Sequence, residues 1–122
     1  MIGVGVDLVE IPRFREVIGR TPSMVDRLFT AAERDYAERQ RDPAPRLAAR
    51  FAAKEAVMKA LGVGLGAMEL RSIEVVRDHD SGRPSLVLHD GALRVADDRG
   101  VTEWHLSLSH TELMAQATAV AL

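Results

Sequence analysis

Three side chains in this sequence have types and positions suited to chemistry on a charged substrate: Asp7, Glu55 and Lys59. Asp7 interrupts an apolar run from Ile2 to Val9. A carboxylate inside an apolar strand is costly unless it is paired or binds a cation. The alternative is a strand that stops at Val6 and leaves Asp7 exposed. Asp7 is therefore a candidate cation ligand.

Glu55 and Lys59 are four residues apart in a segment with a helical pattern, so they share one helix face. A surface ion pair between them is one interpretation, and its contribution to stability would be small. The second interpretation depends on Ala48 and Ala52, which lie next to the two charges on the helical wheel. Small neighbours leave room above the charges for a ligand or for another element of the chain.

The same helix carries a basic row, Arg46, Arg50 and Lys54, at a spacing of four residues. Unpaired like charges at this spacing repel one another, and either a phosphate or solvent would relieve the repulsion. Lys54 falls within the apolar arc, so it must snorkel, pair or contact an anion. His110 ends a strand-like segment on the same face as two leucines, where its imidazole could meet a ligand.

Periodicity and turn signals predict the helices and strands that carry these residues. Thr30 and Glu33 form a predicted capping box, and Gly62 is predicted to end the clearest helix. Gly64 and Gly66 belong to a connector rather than a phosphate loop, because they follow a helix instead of preceding one. The first strand, being almost wholly apolar, is expected to be a buried central strand. The predicted strands cover residues 2–9, 72–76, 85–88, 103–109 and 115–120, and the predicted helices cover 12–18, 24–29, 30–41, 46–61 and 90–96.

This order predicts an α+β fold, with a mostly antiparallel sheet packed against helices and one long central helix. The length of 122 residues predicts a single domain over residues 1–122. The chain has no cysteine, which excludes disulfides and thiolate chemistry. It also shows neither an apolar run of membrane-spanning length nor a signal peptide, so we expect a cytoplasmic location and no membrane association.

The net charge of −2 argues against a general nucleic-acid binder. The charge is uneven along the chain, because residues 1–60 carry 11 basic and 9 acidic groups, whereas residues 61–122 carry 5 basic and 9 acidic groups. This distribution is compatible with an acidic partner or a phosphate ligand on the first half.

Several segments together resemble one family over the whole chain, the holo-(acyl-carrier-protein) synthases, which are small bacterial 4′-phosphopantetheinyl transferases. Residues 3–11 (GVGVDLVEI) are similar to the family's N-terminal motif, and residues 50–62 (RFAAKEAVMKALG) to its second motif. Gly82-Arg83-Pro84 and residues 106–111 (LSLSHT) also fall where the family has them. The resemblance implies the 4′-phosphopantetheinyl transferase fold.

The resemblance implies that coenzyme A (CoA) donates 4′-phosphopantetheine to a serine of an apo acyl carrier protein, releasing 3′,5′-ADP, in support of fatty acid biosynthesis. Asp7 and Glu55 would then hold Mg²⁺, a hard cation that suits carboxylates. Lys59 would contact the phosphate or accept the serine proton, and the sequence does not choose between these roles. The remaining contacts to CoA would come from Arg50, Arg83, Pro84, His110 and Thr111, with Arg46 and Lys54 added from the basic row.

The resemblance also implies two protein contacts. Arg13, Arg20 and Arg27, with Val17 and Met24 between them, would dock the acidic helix of the carrier protein. Chains of this length in the family are homotrimers whose active sites lie between subunits. Two other functions stay open: a metal-dependent phosphohydrolase that uses the same carboxylates, and a module that binds CoA or an acidic protein without catalysis.

Overall fold

The computed structural model describes residues 1–122 and contains five strands, five α-helices and one 3₁₀ turn. The α+β fold class predicted from the sequence is confirmed. The longest helix, α4 (Ala44–Leu61), packs against both sheets and forms the centre of the core. In chain order the elements are β1 (Gly3–Glu10), α1 (Ile11–Arg20), α2 (Ser23–Leu28), α3 (Ala31–Glu38), α4 (Ala44–Leu61), the 3₁₀ turn (Leu70–Ser72), β2 (Ile73–Arg77), β3 (Pro84–Leu88), α5 (Asp90–Asp98), β4 (Trp104–His110) and β5 (Met114–Ala121).

The strands form two antiparallel sheets, one with the order β1-β5-β4 and one made of the hairpin β2-β3. β1 is an edge strand, so the expectation of a buried central strand is wrong. Val4, Val6 and Leu8 point away from the core and are 55%, 49% and 62% exposed. The apolar run of β1 therefore has only one face buried within the chain.

The predicted capping box and the predicted helix end at Gly62 are both confirmed. The Thr30 side chain accepts from the Glu33 backbone N–H, and the Glu33 carboxylate accepts from the Thr30 backbone N–H at 2.9 Å. Gly62 ends α4 in the left-handed region, with φ of 71°. The helix begins at Ala44 rather than Arg46, because Pro45 is compatible with a first helical turn. None of the helices is both long enough and apolar enough to span a membrane.

Two glycines allow β1 to lie directly on α4. A Cβ atom placed on Gly3 would be 1.9 Å from the Ala60 carbonyl oxygen, and one on Gly5 would be 1.9 Å from the Ala56 carbonyl oxygen. Only glycine fits at this distance from a backbone. Asp7 follows on the same face of the strand, so the close approach brings its carboxylate to α4.

We expect Gly5→Ala to destabilise the protein by about 3 kcal/mol or more, because the new methyl group forces β1 away from rigid helix backbone. Gly64→Ala is the matched control, since nothing lies within 4 Å of a Cβ at that position. Urea denaturation of the two variants measures the difference. Equal stability of the two variants would show that the close approach is not required.

Candidate active site

Asp7 and Lys59 meet where β1 crosses α4. The Lys59 Nζ donates to the Asp7 Oδ1 at 3.1 Å and to the Val6 carbonyl oxygen at 3.0 Å. The Asp7 side chain is 16% exposed, whereas that of Lys59 is 54% exposed. Lys59 therefore pairs across elements with Asp7, and the simple surface pair with Glu55 is not the arrangement found.

Glu55 lies beside this pair on the same face of α4 and is half-buried. Burial raises the pKa of the Glu55 carboxyl above its ordinary value, and the Asp7 carboxylate raises it further, while the Lys59 ammonium acts in the opposite direction. Two carboxylates with one lysine form a site with oxygen donors and net negative charge. Such a site is suited to a hard divalent cation.

A second group of charges surrounds a cavity on another side of α4. Two adjoining hollows of about 530 Å³ and 490 Å³ share Tyr36, Arg50, Arg77 and Gly82. The second hollow also includes Arg83 together with Pro84, Leu106, Ser107 and Leu108. We call the two hollows the arginine cavity.

Arg50 is the buried member of this cavity, at 6% exposure. Its guanidinium stacks on the Tyr36 ring with the Cζ atom 4.3 Å from the ring centre, and its Nε has no hydrogen-bond partner. Burial lowers the pKa of Arg50, which nevertheless stays charged because arginine loses its proton only far above neutral pH. A buried, incompletely partnered cation beside a cavity is a site for an anion.

The prediction that Lys54 contacts CoA as part of the basic row is wrong. Lys54 is fully buried, and its ammonium donates to the Glu33 carboxylate at 2.8 Å, to the Leu70 carbonyl at 3.0 Å and to the Ile73 carbonyl. All three N–H groups are satisfied, so Lys54 has no donor left for a ligand. Of the three alternatives that the sequence left for Lys54, the structure shows pairing, with the Glu33 carboxylate.

Some of the other predicted CoA contacts lie at the arginine cavity, and others lie outside it. Arg83 and Pro84 lie in the arginine cavity with Arg50, and Arg46 stacks on the same Tyr36 ring at 4.5 Å. His110 is exposed at the end of β4, and neither hollow of the arginine cavity includes it. Thr111 lies in the turn before β5, where its hydroxyl accepts from the Leu113 and Met114 backbone N–H groups.

The two charged groups face different sides of α4. Arg50 and Glu55 are separated by five residues, which corresponds to about 140° around the helix and about 7.5 Å along it. None of Asp7, Glu55 and Lys59 lines the arginine cavity. A single chain thus presents the carboxylate pair and the arginine cavity separately.

Sequence reasoning missed three residues of this region: Tyr36, Arg77 and Glu33 as the partner of Lys54. Arg77 donates to the Tyr36 hydroxyl at 2.5 Å, and Tyr36 is the only tyrosine in the chain. A lone aromatic residue in an arginine-rich segment is a signal for cation–π stacking, but only the fold brings in Arg77 from β2.

The comparisons with known proteins identify the family of this chain. A sequence profile described as the 4′-phosphopantetheinyl transferase superfamily matches residues 3–121. The chain belongs to that superfamily. This 4′-phosphopantetheinyl transferase superfamily member is 48% identical over 122 residues to the holo-(acyl-carrier-protein) synthase of Moorella thermoacetica, an alignment that covers 100% of this chain and 93% of the relative.

Solved structures show the same fold. The holo-(acyl-carrier-protein) synthase of Neisseria meningitidis is 31% identical, with a TM-score of 0.90 and coverage of 100% of this chain and 99% of that one. The enzyme of Bacillus anthracis, solved in complex with CoA (3′,5′-ADP), is 32% identical, with a TM-score of 0.81 and coverage of 98% and 95%. The expectation of a 4′-phosphopantetheinyl transferase fold is therefore confirmed.

Proposed function

We propose that this chain is a holo-(acyl-carrier-protein) synthase that transfers 4′-phosphopantetheine from CoA to a serine hydroxyl of an apo acyl carrier protein. The observation that carries the proposal is the cluster of Asp7, Glu55 and Lys59, held together by the glycine-mediated contact of β1 with α4. The holo carrier protein and 3′,5′-ADP are the products, and the reaction serves fatty acid biosynthesis. Residues 1–122 act as one catalytic domain, in the cytoplasm.

Asp7 and Glu55 are the proposed ligands of Mg²⁺. Two oxygen donors from the protein fit this ion, which usually keeps several waters and takes its other ligands from substrate phosphates. The raised pKa of Glu55 supports the assignment, because a cation would relieve the repulsion between the two carboxylates. The bound ion would neutralise charge on the CoA diphosphate during transfer.

Lys59 is the proposed phosphate contact. Its ammonium carries three N–H donors, and Asp7 and the Val6 carbonyl accept two hydrogen bonds from it. The remaining donor is available to a phosphate oxygen as the serine oxygen bonds to the β-phosphorus and the bond from that phosphorus to the bridging oxygen breaks. The bridging oxygen leaves with 3′,5′-ADP, and the serine proton passes to a base or to water.

The alternative role of Lys59, as the acceptor of the serine proton, is tested by Lys59→Arg. Arginine keeps the positive charge and its donors but does not release a proton near neutral pH. Partial activity of this variant supports Lys59 as a phosphate contact. Complete loss of activity together with intact CoA binding supports Lys59 as the acceptor of the serine proton.

The arginine cavity is the proposed site for the nucleotide end of CoA. Arg50, Arg46 and Arg83 supply positive charge for its phosphates, and Pro84 supplies an apolar surface. Arg77 joins this set because it lines both hollows. His110 and Thr111 lie outside both hollows of the single chain, and the family resemblance is what supports them as further contacts to CoA.

We further propose that the active enzyme is a homotrimer in which the carboxylate pair of one subunit faces the arginine cavity of the next. Two observations support this: the two charged groups lie on different sides of α4, and Val4, Val6 and Leu8 expose an apolar strand face. Sedimentation should give three times the 13.4 kDa chain mass, and Val6→Arg should lower both this mass and the activity. A fully active monomer would contradict the arrangement.

The carrier protein is proposed to dock on α1 and α2. Arg13 and Arg20 on α1 and Arg27 on α2 are exposed, with Val17 and Met24 half-buried between them. Arg13 and Arg27 form no ion pair, and Arg20 makes only a 3.8 Å exposed contact to Glu16. These cations suit an acidic helix.

We expect Arg13→Glu to raise the KM for the carrier protein about tenfold, with little change in the KM for CoA, because a reversed charge opposes the acidic partner. The effect should diminish as salt is added. Arg94→Glu, on α5, is the matched control. Steady-state kinetics with each substrate varied in turn measures both values, and equal KM values for the two variants would contradict this docking surface.

We expect the affinity for a divalent cation to fall on acidification, starting above the pH at which an ordinary glutamate protonates. The raised pKa of Glu55 means that protons compete with the metal from a higher pH. Titration of the wild-type protein with Mn²⁺, followed by electron paramagnetic resonance at a series of pH values, measures the effect. Glu55→Gln should bind Mn²⁺ more weakly and lose this part of the pH dependence; an unchanged profile would contradict the ligand assignment.

The decisive experiment is the intact mass of an apo acyl carrier protein after incubation with this protein, CoA and Mg²⁺. A gain of about 340 Da, the expected mass of a phosphopantetheine group moved by this phosphoryl chemistry, is the predicted result. Parallel samples without carrier protein test for release of phosphate or nucleotide, as expected from a phosphohydrolase. CoA binding without any mass gain would instead indicate a binding module.

A further inference from the structure

Tyr36 lies at the centre of the arginine cavity. Its ring is contacted by Arg50, Arg46 and Arg77, whose Cζ atoms are 4.3, 4.5 and 5.7 Å from the ring centre. Its hydroxyl also accepts the 2.5 Å hydrogen bond from the Arg77 guanidinium. One half-buried side chain on α3 thus contacts cations from α4 and from β2.

No carboxylate of the chain forms an ion pair with any of these three arginines. Three guanidinium groups around one ring repel one another, and the face of the ring offsets only part of this repulsion. The arrangement holds positive charge in place before any ligand arrives. Such preorganisation favours a multiply charged anion over a neutral or singly charged group.

The position of the Arg50 guanidinium depends on Tyr36 more than the positions of the other two guanidinium groups do. It is buried, its Nε has no hydrogen-bond partner, and the Tyr36 ring is the surface against which its guanidinium lies. Arg77 is exposed and belongs to the strand that leads into the turn carrying Gly82 and Arg83. The Tyr36 hydroxyl therefore ties this turn to α3.

We propose that Tyr36 is a positioning residue that fixes the guanidinium of Arg50, and through Arg77 the β2–β3 turn, so that the cavity selects the 3′-phosphate of CoA. This rests on the proposed function, in which the cavity takes the nucleotide end of CoA. Tyr36 acts through its arginine neighbours and takes no part in the transfer step.

The test compares CoA with dephospho-CoA, which lacks the 3′-phosphate, by isothermal titration calorimetry on the full chain. We expect Tyr36→Leu to weaken CoA binding about tenfold and dephospho-CoA binding less than about threefold, because guanidinium–aromatic contacts contribute on this scale. Loss of structure alone would weaken the two ligands equally. Tyr36→Phe keeps the ring beneath Arg50 but loses the hydrogen bond to Arg77, so it should weaken CoA binding by a smaller factor than Tyr36→Leu does.

Two further variants separate the possible results. Leu93→Ala, on the exposed face of α5, is a control for general effects of substitution, and Arg50→Ala tests the cavity itself. If Arg50→Ala weakens CoA binding while Tyr36→Leu binds CoA as the wild type does, the positioning role is overturned and the proposed function stands. If the wild-type protein binds no CoA, both proposals are overturned. Equal weakening of CoA and dephospho-CoA by Tyr36→Leu would also overturn the selectivity for the 3′-phosphate.

Discussion

Glu55→Gln should lower the rate of phosphopantetheine transfer by about a thousandfold or more, while leaving the fold intact. The amide keeps the shape of the side chain but loses the negative charge that a divalent cation requires. The measurement is the rate at which the apo carrier protein gains mass in the presence of CoA and Mg²⁺.

The stability of Glu55→Gln should equal or slightly exceed that of the wild-type protein near neutral pH. Burial and the neighbouring Asp7 carboxylate raise the pKa of Glu55 in the folded protein above its unfolded value. The folded state therefore holds this proton more tightly, and stability falls as the pH rises from the ordinary pKa through the raised one. Above that range the ionised Glu55 destabilises the free enzyme, and the amide removes this cost.

Glu38→Gln is the matched control, because Glu38 is exposed at the end of α3 and should tolerate the same change without effect on either property. Wild-type activity in Glu55→Gln would refute the metal assignment. A large loss of stability would instead show that Glu55 supports the fold.

Lys54→Met should destabilise the protein by about 3–5 kcal/mol, the second large effect that we expect. The substitution leaves the Glu33 carboxylate buried without its cation, and it removes the donor to the Leu70 and Ile73 carbonyls. Glu33 also caps α3 and accepts from the Val75 backbone N–H at 2.9 Å. The damage should therefore extend to α3 and β2. The free energy of unfolding in urea measures the loss.

Lys59→Met is the matched control from the same helix. Its side chain is half exposed, so the same substitution should change stability by less than about 1 kcal/mol while removing the proposed phosphate contact. The double variant Lys54→Met/Glu33→Gln should recover part of the lost stability, because both buried charges are gone. Similar stability of Lys54→Met and Lys59→Met would contradict a structural role for the Lys54–Glu33 pair.

Features that depend on residues close together in the chain can be predicted from the sequence alone. The capping box of Thr30 and Glu33, the end of α4 at Gly62 and the spacing of Glu55 and Lys59 are local, and the structure has each of them. Motif resemblance likewise indicated the superfamily, because it depends on residue types in order along the chain. These properties need no knowledge of which distant segments meet.

The contacts between distant segments become visible only in the folded chain. The apolar pattern of β1 did not show that the strand lies at a sheet edge, and Gly5 gave no sign of its contact with the Ala56 carbonyl. The spacing of Lys54 indicated a basic row, whereas in the fold Lys54 pairs with Glu33, 21 residues away in the chain. Burial and pairing depend on contacts between distant segments, and the pattern within any one segment does not contain those contacts.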